Sequence, residues 1–542
     1  MGFRFSLVIS LIFGGYVFLL FHLYQLQLTN GEVYLAQAES QNGAAYLTAA
    51  VRGAIYLTDR DGAKIPAAIN KDFSEAYAVP KIMADTVSAA KTAAEIFSRS
   101  ESELKKSFST RSNYVLLAAH ASDDIVSKIR DAKVNGLYVK QVPDRFYPSG
   151  PLAAQLLGFV GPNNTDNGSS GRYGLEKFYE DKLAGNEGNI LEVAISAGVG
   201  EDLALTLDSS IQREAETLLA KMVREHKAEG GTIIVEEPKT GKILAMGSSP
   251  DFDPNNYSIS PIAAFLNPAT EKLYEPGSIM KVVTMSAGID SGKITPDTTY
   301  VDTGKLVIYD HVIRNWDLKA YGKTTMTGVI EKSLNTGAAF AERRTGDDVF
   351  KSYLKNFGFG DKTGIDLPGE IAGDLKSLVV GGPPINFATA SFGQGIAVTP
   401  LEVINGISAI ANGGLLMRPY VNAALKPQIV RRVISEDTAR SVTAMMVSAV
   451  DKAKLAQISG YAVAGKTGTA QIPDFVHGGY SDQVTDSYVG FAPAYNPRFV
   501  IFIKLSKPEG APLAGTTVLP SFRELAQFVL NYYNVTPDRL EQ

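Results

Sequence analysis

The 542-residue chain contains no cysteine. That absence excludes disulfides, thiol catalysis and Cys-ligated zinc or iron–sulfur centres. It does not exclude an extracytoplasmic location, because a chain of this length buries enough apolar surface to need no staples. Histidine is scarce: His22, His120, His226, His311 and His477 stand without metal-ligand spacing and read as surface or packing residues. No metal and no cofactor is therefore expected. Positive charge is not in excess either, with 52 Lys and Arg against 57 Asp and Glu and a net charge of -5. This balance argues against a nucleic-acid partner and against a basic membrane-binding surface. Fixed-period repeats and long low-complexity tracts are also missing.

Charge itself is missing from one stretch. Residues 5–24, FSLVISLIFGGYVFLLFHLY, carry no Lys, Arg, Asp or Glu, and about 20 such residues suffice to cross a bilayer. A cleaved signal peptide is the competing reading, and Ala36-Gln37-Ala38 imitates a cleavage site. The apolar run exceeds the usual h-region of roughly 7–15 residues, so the expectation is an uncleaved transmembrane anchor. Arg4 on the short side places the bulk of the chain outside the cytoplasm, on a single-pass protein of the cytoplasmic (inner) membrane.

The length suggests two or three domains. After the stub and anchor (1–25), residues 26–50 read as an amphipathic stalk and open an N-terminal region running to residue 200. Within it, VRGAIYLTDRDGAKIPAAI (51–69) alternates around Asp61-Gly62 as a hairpin does. Residues 85–135 read as helices, 144–161 as turn residues leading into an apolar run, 163–174 as a polar loop and 175–185 as a helix. Residues 201–230 give a connecting strand and a helix capped near Asp208. From 231 to 535 lies the second large domain, with strand–turn–strand at 231–249, a hairpin at 486–506 and a closing helix at 520–533 that places Phe522, Leu525 and Val529 on one face. A tail, 536–542, ends the chain. Strands at both ends with helices between them predict an α+β domain whose terminal segments meet in one antiparallel sheet.

Among the copies of Ser-x-x-Lys in the chain are Ser102–Lys105, among charges, and Ser278–Lys281, in EPGSIMKVVT. The pattern alone is weak, since a chain this long should hold it roughly two or three times by chance. Around Ser278, however, Pro276-Gly277 punctuates a helix start, and Ile279, Met280, Val282, Val283, Met285 and Ala287 are apolar on nearly every side. Helical spacing puts Lys281 on the face of Ser278. A desolvated lysine loses its proton readily and can accept that of the serine. The bland reading is a helix serine beside a snorkelling lysine. Two further elements bear on the choice. EKSLNTG (331–337) offers Ser333 and Asn335 in a tight turn between helices. VAGKTGTAQIP (463–473) offers Lys466, Thr467, Gly468 and Thr469, the two threonines on one strand face, with Gly468 permitting close backbone approach. Lys-Thr-Gly recurs at 239–241 and 362–364, which read as a hairpin turn and a loop.

Ser-x-x-Lys, Ser-x-Asn and Lys-Thr-Gly, in this order and spaced by about 50 and then about 130 residues, resemble the motif set of the penicillin-binding proteins. The middle motif here is Ser-Leu-Asn, without the central polar residue of related β-lactamases. RGAIYLTDRDG, RFYPSGPLAAQLLGFVG and GRYGLEKFYEDKLAG resemble the N-terminal pedestal of class B enzymes, with a longer first hairpin than that family's usual pattern. ASFGQGIAVTPLEVINGISAIANGG (390–414) is more similar to the division-type branch than to the elongation-type branch.

The resemblance implies an α+β fold: a penicillin-binding/β-lactamase-like transpeptidase domain, an antiparallel sheet with a helical subdomain, on an elongated dimerisation-type pedestal. Ser278 would take the acyl group of a stem peptide ending in D-Ala-D-Ala, with Lys281 as its base. Ser333, near Lys281 and Lys466, would relay a proton to the leaving D-Ala, and Asn335 would hold the peptide backbone. The backbone N–H groups of Ser278 and Thr469 would form an oxyanion hole. The Thr467 and Thr469 hydroxyls would bind the terminal carboxylate in the field of Lys466. Strict strand alternation points Lys466 away from the threonines, so this arrangement requires an edge position or a twist.

The implied partners are stem peptides, β-lactams as inhibitors, a membrane glycosyltransferase of the SEDS type and other division proteins. An elongation-type transpeptidase, a serine β-lactamase or carboxypeptidase, and a non-catalytic β-lactam-binding scaffold or sensor remain as alternatives. The anchor and the roughly 200-residue N-terminal region count against a soluble hydrolase, and a single span without a signalling domain counts against a sensor.

Overall fold

A computed structural model describes residues 13–20, 22–24, 51–163, 169–185, 199–474, 476–510 and 513–539. Most of the predicted anchor (1–25) and all of the predicted stalk (26–50) lie outside these residues. Residues 13–20 and 22–24 are helical, and among the described residues no helix is long and apolar enough to cross a membrane. The chain forms two compact units, one of Met1–Arg52, Ile69–Phe146 and Ala184–Gly200, the other of Gly53–Ala68, Tyr147–Leu183 and Glu201–Gln542.

The hairpin expected near Asp61-Gly62 is present. Strand β1 (Ile55–Thr58) pairs with the start of β2 (Lys64–Ala78), Thr58 opposite Lys64. The Asp59 carboxylate closes the turn by accepting from the N–H groups of Asp61 and Ala63, as a short side chain at a turn can. From Ile69 onward β2 belongs to the first unit. There α1 (Thr86–Phe97), α2 (Glu101–Ser109), β3 (Val115–Ala118), α3 (Asp123–Ala132) and β4 (Leu137–Phe146) follow in order. Asp85 and Ser122 cap α1 and α3. The helices bury Ala90, Ala93, Leu104, Phe108 and Ile129 against Ala76, Ala78, Leu117 and Leu137 of the strands. The stretch 85–135 is thus not helical throughout: Val115-Leu116-Leu117 pairs with β2 as a strand, its extended form stabilised by a neighbour far away in sequence.

In the second unit β5 (Leu203–Asp208) leads into α4 (Ser209–Glu225), whose first N–H groups donate to Asp208 as the capping signal predicts. Strands β6 (Gly230–Glu237) and β7 (Lys242–Ser249) form a hairpin across the Lys-Thr-Gly turn at 239–241. Helices α5 (Met280–Asp290), α6 (Met326–Lys332), α7 (Asn335–Thr345), α8 (Pro400–Ala411) and α9 (Glu436–Ala453) occupy the middle of the sequence. Strands β8 (Ala464–Pro473), β9 (Tyr480–Ala492) and β10 (Phe499–Ser506) and helix α10 (Leu519–Tyr532) complete the unit.

The expected junction of the terminal segments is met: the antiparallel sheet runs β8-β9-β10-β6-β7, with Phe502 opposite Ile234. Both faces are covered, which is why these strands read as continuous apolar runs. Ile233, Val235, Ile501 and Ile503 pack with α4 and α10, including Phe522, Leu525 and Val529, all fully buried. Ile234, Val500 and Phe502 face the other way into a core with α5 and α8. Helix α5 is buried on every side from Met280 to Gly288, and Lys281 is among its residues with no exposed surface. Strand β8 is left at the sheet edge, beside the turn that carries Ser278.

Candidate active site

Ser278 sits in a short 3-10 turn, Gly277–Ile279, that runs directly into α5. The turn is clamped from behind. The Gly277 N–H donates to the Gly393 carbonyl at 3.0 Å, and a side chain on Gly393 would collide with the Gly277 backbone. Glu275 accepts from the Gly395 N–H at 2.9 Å and from the Tyr480 hydroxyl at 3.2 Å. On the open side, a side chain on Gly468 would collide with Ser487 and the Pro276 carbonyl, so only glycine lets β8 approach the turn this closely.

One turn along α5, Lys281 Nζ lies 2.9 Å from Ser278 Oγ, 2.6 Å from the Ser333 carbonyl and 3.1 Å from Ser333 Oγ. Ser333 ends α6 in the left-handed region, at φ 56°, and Asn335 opens α7 two residues later. The expected turn between helices therefore exists, and its unusual backbone is of the kind that persists at functional sites. Lys466 Nζ reaches the same hydroxyl, 3.0 Å from Ser333 Oγ, while also lying 3.0 Å from the Thr467 carbonyl and 3.3 Å from Thr467 Oγ1. The edge position of β8 resolves the alternation problem, since the Lys466 side chain can curl around an unpaired strand edge.

Both amines are buried. Burial, reinforced by the nearby Lys466 charge, holds Lys281 well below the ordinary lysine range. Burial alone pushes Lys466 down to about 7. The extra charge repulsion falls on Lys281, so of the two amines Lys281 gives up its proton the more readily.

These residues open onto a cleft of about 950 Å³ whose walls include Ser278, Ser333, Asn335, Lys466, Thr467 and Thr469, together with Trp316 and Leu513–Gly515. Asn335 Nδ2 donates to the Arg314 carbonyl at 2.9 Å. Thr469 Oγ1 has other partners than Thr467 Oγ1: it donates to Asp486 Oδ1 at 2.9 Å and accepts from the Ala514 N–H at 3.3 Å. Asp486, Gly393 and Glu275 carry no signal in the sequence. Asp486 matters only because the register sets it opposite Thr469, and Gly393 only because its loop folds behind Gly277.

Other copies of these motifs lie elsewhere. Ser102 and Lys105 lie on α2, where Lys105 pairs with Glu101 at 2.6 Å. Thr240 bonds to Glu237 in the β6–β7 turn, and Thr363 to Glu370 in a loop. His311 lines the cleft mouth from an exposed position, and His120 and His477 pair with Asp144 and Asp474.

Residues 231–526 match the penicillin binding protein transpeptidase domain, and residues 47–198 the penicillin-binding protein dimerisation domain. The chain is similar along nearly its whole length to stage V sporulation protein D of Bacillus subtilis, at 31% identity over 96% of this chain and 86% of the relative. It is also similar to the peptidoglycan D,D-transpeptidase FtsI of Escherichia coli, at 29% identity over 99% and 93%, and to penicillin-binding protein PbpB of Mycolicibacterium smegmatis, at 29% over 95% and 88%. With a transpeptidase domain covering over half of its length, a dimerisation domain before it and relatives that align from end to end, the chain belongs to the penicillin-binding proteins, as a class B member.

Proposed function

We propose that the protein is a membrane-anchored serine D,D-transpeptidase that cross-links peptidoglycan stem peptides through an acyl-enzyme on Ser278, the same serine being acylated by β-lactams. The observation that supports this most is the chain Ser278 Oγ, Lys281 Nζ, Ser333 Oγ, Lys466 Nζ, each link between 2.9 and 3.1 Å and both amines buried. It offers a nucleophile, a neutral base, a relay and a cation in one line.

In this reading Ser278 Oγ attacks the carbonyl between the last two D-Ala residues, and its proton passes to Lys281 Nζ. General-base help of this kind is typically worth about 10² to 10⁴ in rate. The Ser278 and Thr469 N–H groups hold the oxyanion, where one donor is typically worth about 2.7–4 kcal/mol. When the C–N bond breaks, Ser333 Oγ hands a proton to the leaving D-Ala amine and is resupplied from Lys281. An acceptor amine of a second stem peptide then attacks the ester carbon and returns Ser278 as the free hydroxyl. Asn335 holds the donor backbone, and the strand Lys466–Thr469, with Gly468 as its close-approach residue, binds the terminal carboxylate.

The domain division that goes with this function is an anchor at 1–25, a pedestal at 26–200, a connector at 201–230 and a transpeptidase domain at 231–535. The anchor holds the catalytic domain on the outer side of the cytoplasmic membrane. A role in septal wall synthesis, beside a SEDS-type glycosyltransferase and other division proteins, is supported by the relative named FtsI and by the 390–414 stretch.

The test is a cross-linking assay with the full-length chain, donor pentapeptide strands and an amine acceptor. Dimeric product that disappears with penicillin or with Ser278→Ala is expected. Product that survives Ser278→Ala, or rapid hydrolysis of penicillin instead of a persistent adduct, would overturn the reading. Depletion in cells should give filaments; round cells would move the protein to elongation.

A further inference from the structure

Thr467 and Thr469 are one pleat apart on the same face of β8, yet their hydroxyls are in different situations. A threonine hydroxyl has one proton to donate and two lone pairs. That of Thr469 is committed: its proton goes to Asp486 Oδ1 at 2.9 Å, and the Ala514 N–H, at 3.3 Å, fills a lone pair. A carboxylate only accepts hydrogen bonds, so this hydroxyl has nothing to give to one. The Thr467 hydroxyl accepts from Lys466 Nζ at 3.3 Å, and no described residue takes its proton.

Asp486 is the cause of this difference. It lies directly opposite Thr469 in the β8–β9 register and has no exposed surface. Its second oxygen accepts from Thr517 Oγ1 at 2.8 Å. Thr517 and Ala514 belong to the short helix Ala514–Thr517, whose leading residues wall the cleft. A buried carboxylate held by two neutral hydroxyls, with no cation bonded to it among the described residues, is an expensive way to tie a strand to a loop. An apolar pair would do that at lower cost, so the polar tie points to a use for the oriented hydroxyl.

We propose that Asp486 is a positioning residue that draws the Thr469 hydroxyl out of the cleft, so that the terminal carboxylate of the donor is read by Thr467 and Lys466 while Thr469 contributes only its backbone N–H. This rests on Ser278 being the acylated residue. Absence of any labelling of the wild-type chain would fail that reading, whereas the outcomes below are read against wild-type labelling.

The test measures the second-order rate of labelling of the full-length chain by fluorescent penicillin. Thr467→Val should slow it at least tenfold. Adding Asp486→Ala releases the Thr469 hydroxyl to donate into the cleft, so Asp486→Ala/Thr467→Val should label at least twofold faster than Thr467→Val alone. A purely structural Asp486 would compound the loss, and a double variant no faster than the single one overturns the proposal. Asp486→Asn keeps an oxygen that accepts from Thr469 and should give no such rescue; rescue by it as large as by alanine also counts against the proposal. Should the double variant fail to fold, Thr467→Val alone decides the matter through the ratio of acylation by benzylpenicillin to that by its methyl ester. A fall in this ratio of at least threefold supports a single reading hydroxyl, and a smaller fall overturns it.

Discussion

Ser-x-x-Lys recurs on several helices of the chain, and the copies on α2 and at the start of α5 differ in everything except spacing. On α2, Ser102 is exposed and Lys105 half-buried, and the amine pairs with a carboxylate one turn away, the sort of contact worth a few tenths of a kcal/mol. On α5, the lysine has no exposed surface, two serine hydroxyls and, among the described residues, no carboxylate partner. Spacing alone does not separate the two pairs. Chemistry requires in addition that water be excluded and that other segments, here Ser333 from the α6–α7 turn and Lys466 from the edge strand, converge on the pair.

The comparison breaks most sharply at the lysines. Lys281→Met should lower the rate of penicillin acylation by about 10²- to 10⁴-fold, while Lys105→Met leaves it within about twofold. Melting temperature should move the other way at the two sites. Replacing a buried amine by an apolar chain of similar volume is neutral or stabilising, so a large fall in the melting temperature of Lys281→Met would count against a strained, functional lysine.

A second prediction uses pH. A lysine is charged below its pKa, so the field of Lys466 is present below about 7 and is lost as pH rises through that value. Lys281, held well below the lysine range by burial and by Lys466, must lose its proton to act, and the rate rises as it does so. Acylation of the free enzyme should therefore follow a bell whose alkaline limb falls near pH 7. A rate still rising above pH 8 would assign the wrong lysine to the base.

The smallest expected effect concerns burial without convergence. Glu236 on β6 has no exposed surface, and burial pushes its carboxyl up to about 8. Its folded pKa exceeds its unfolded value of about 4.3, so the folded state keeps a proton that the unfolded state releases. Stability must then fall as pH rises between about 4.3 and 8. Glu236→Gln should remove that slope and raise stability at neutral pH, by an amount on the order of a few kcal/mol, with no change in acylation. A thermal melt at pH 5 and pH 7 checks this, and an equal slope in both proteins would contradict it.

Much of this was legible in the residues. The Asp61-Gly62 turn, the cap at Asp208 and the apolar face of α10 are each encoded within a few neighbouring positions, and the union of the terminal strands follows from the order of elements along the chain. So was the turn that presents Ser333 and Asn335. What was not legible depends on which distant strands become neighbours. Val115-Leu116-Leu117 looks helical until β2 pairs with it. Lys466 points away from its threonines until β8 is known to be an edge. Asp486 is one acid in a strand until the register sets it against Thr469, and the expectation that both threonine hydroxyls bind the substrate carboxylate could not take it into account.

The contrast between the two helices is tested most directly by locating the adduct. The full-length chain would be incubated with benzylpenicillin, digested and mapped by mass spectrometry. A single penicilloyl group on the peptide containing Ser278, persisting long after free drug is removed, is the predicted result. An adduct on Ser102 or any other residue, or none at all on a folded chain, would contradict the claim that burial and convergence make Ser278 the nucleophile.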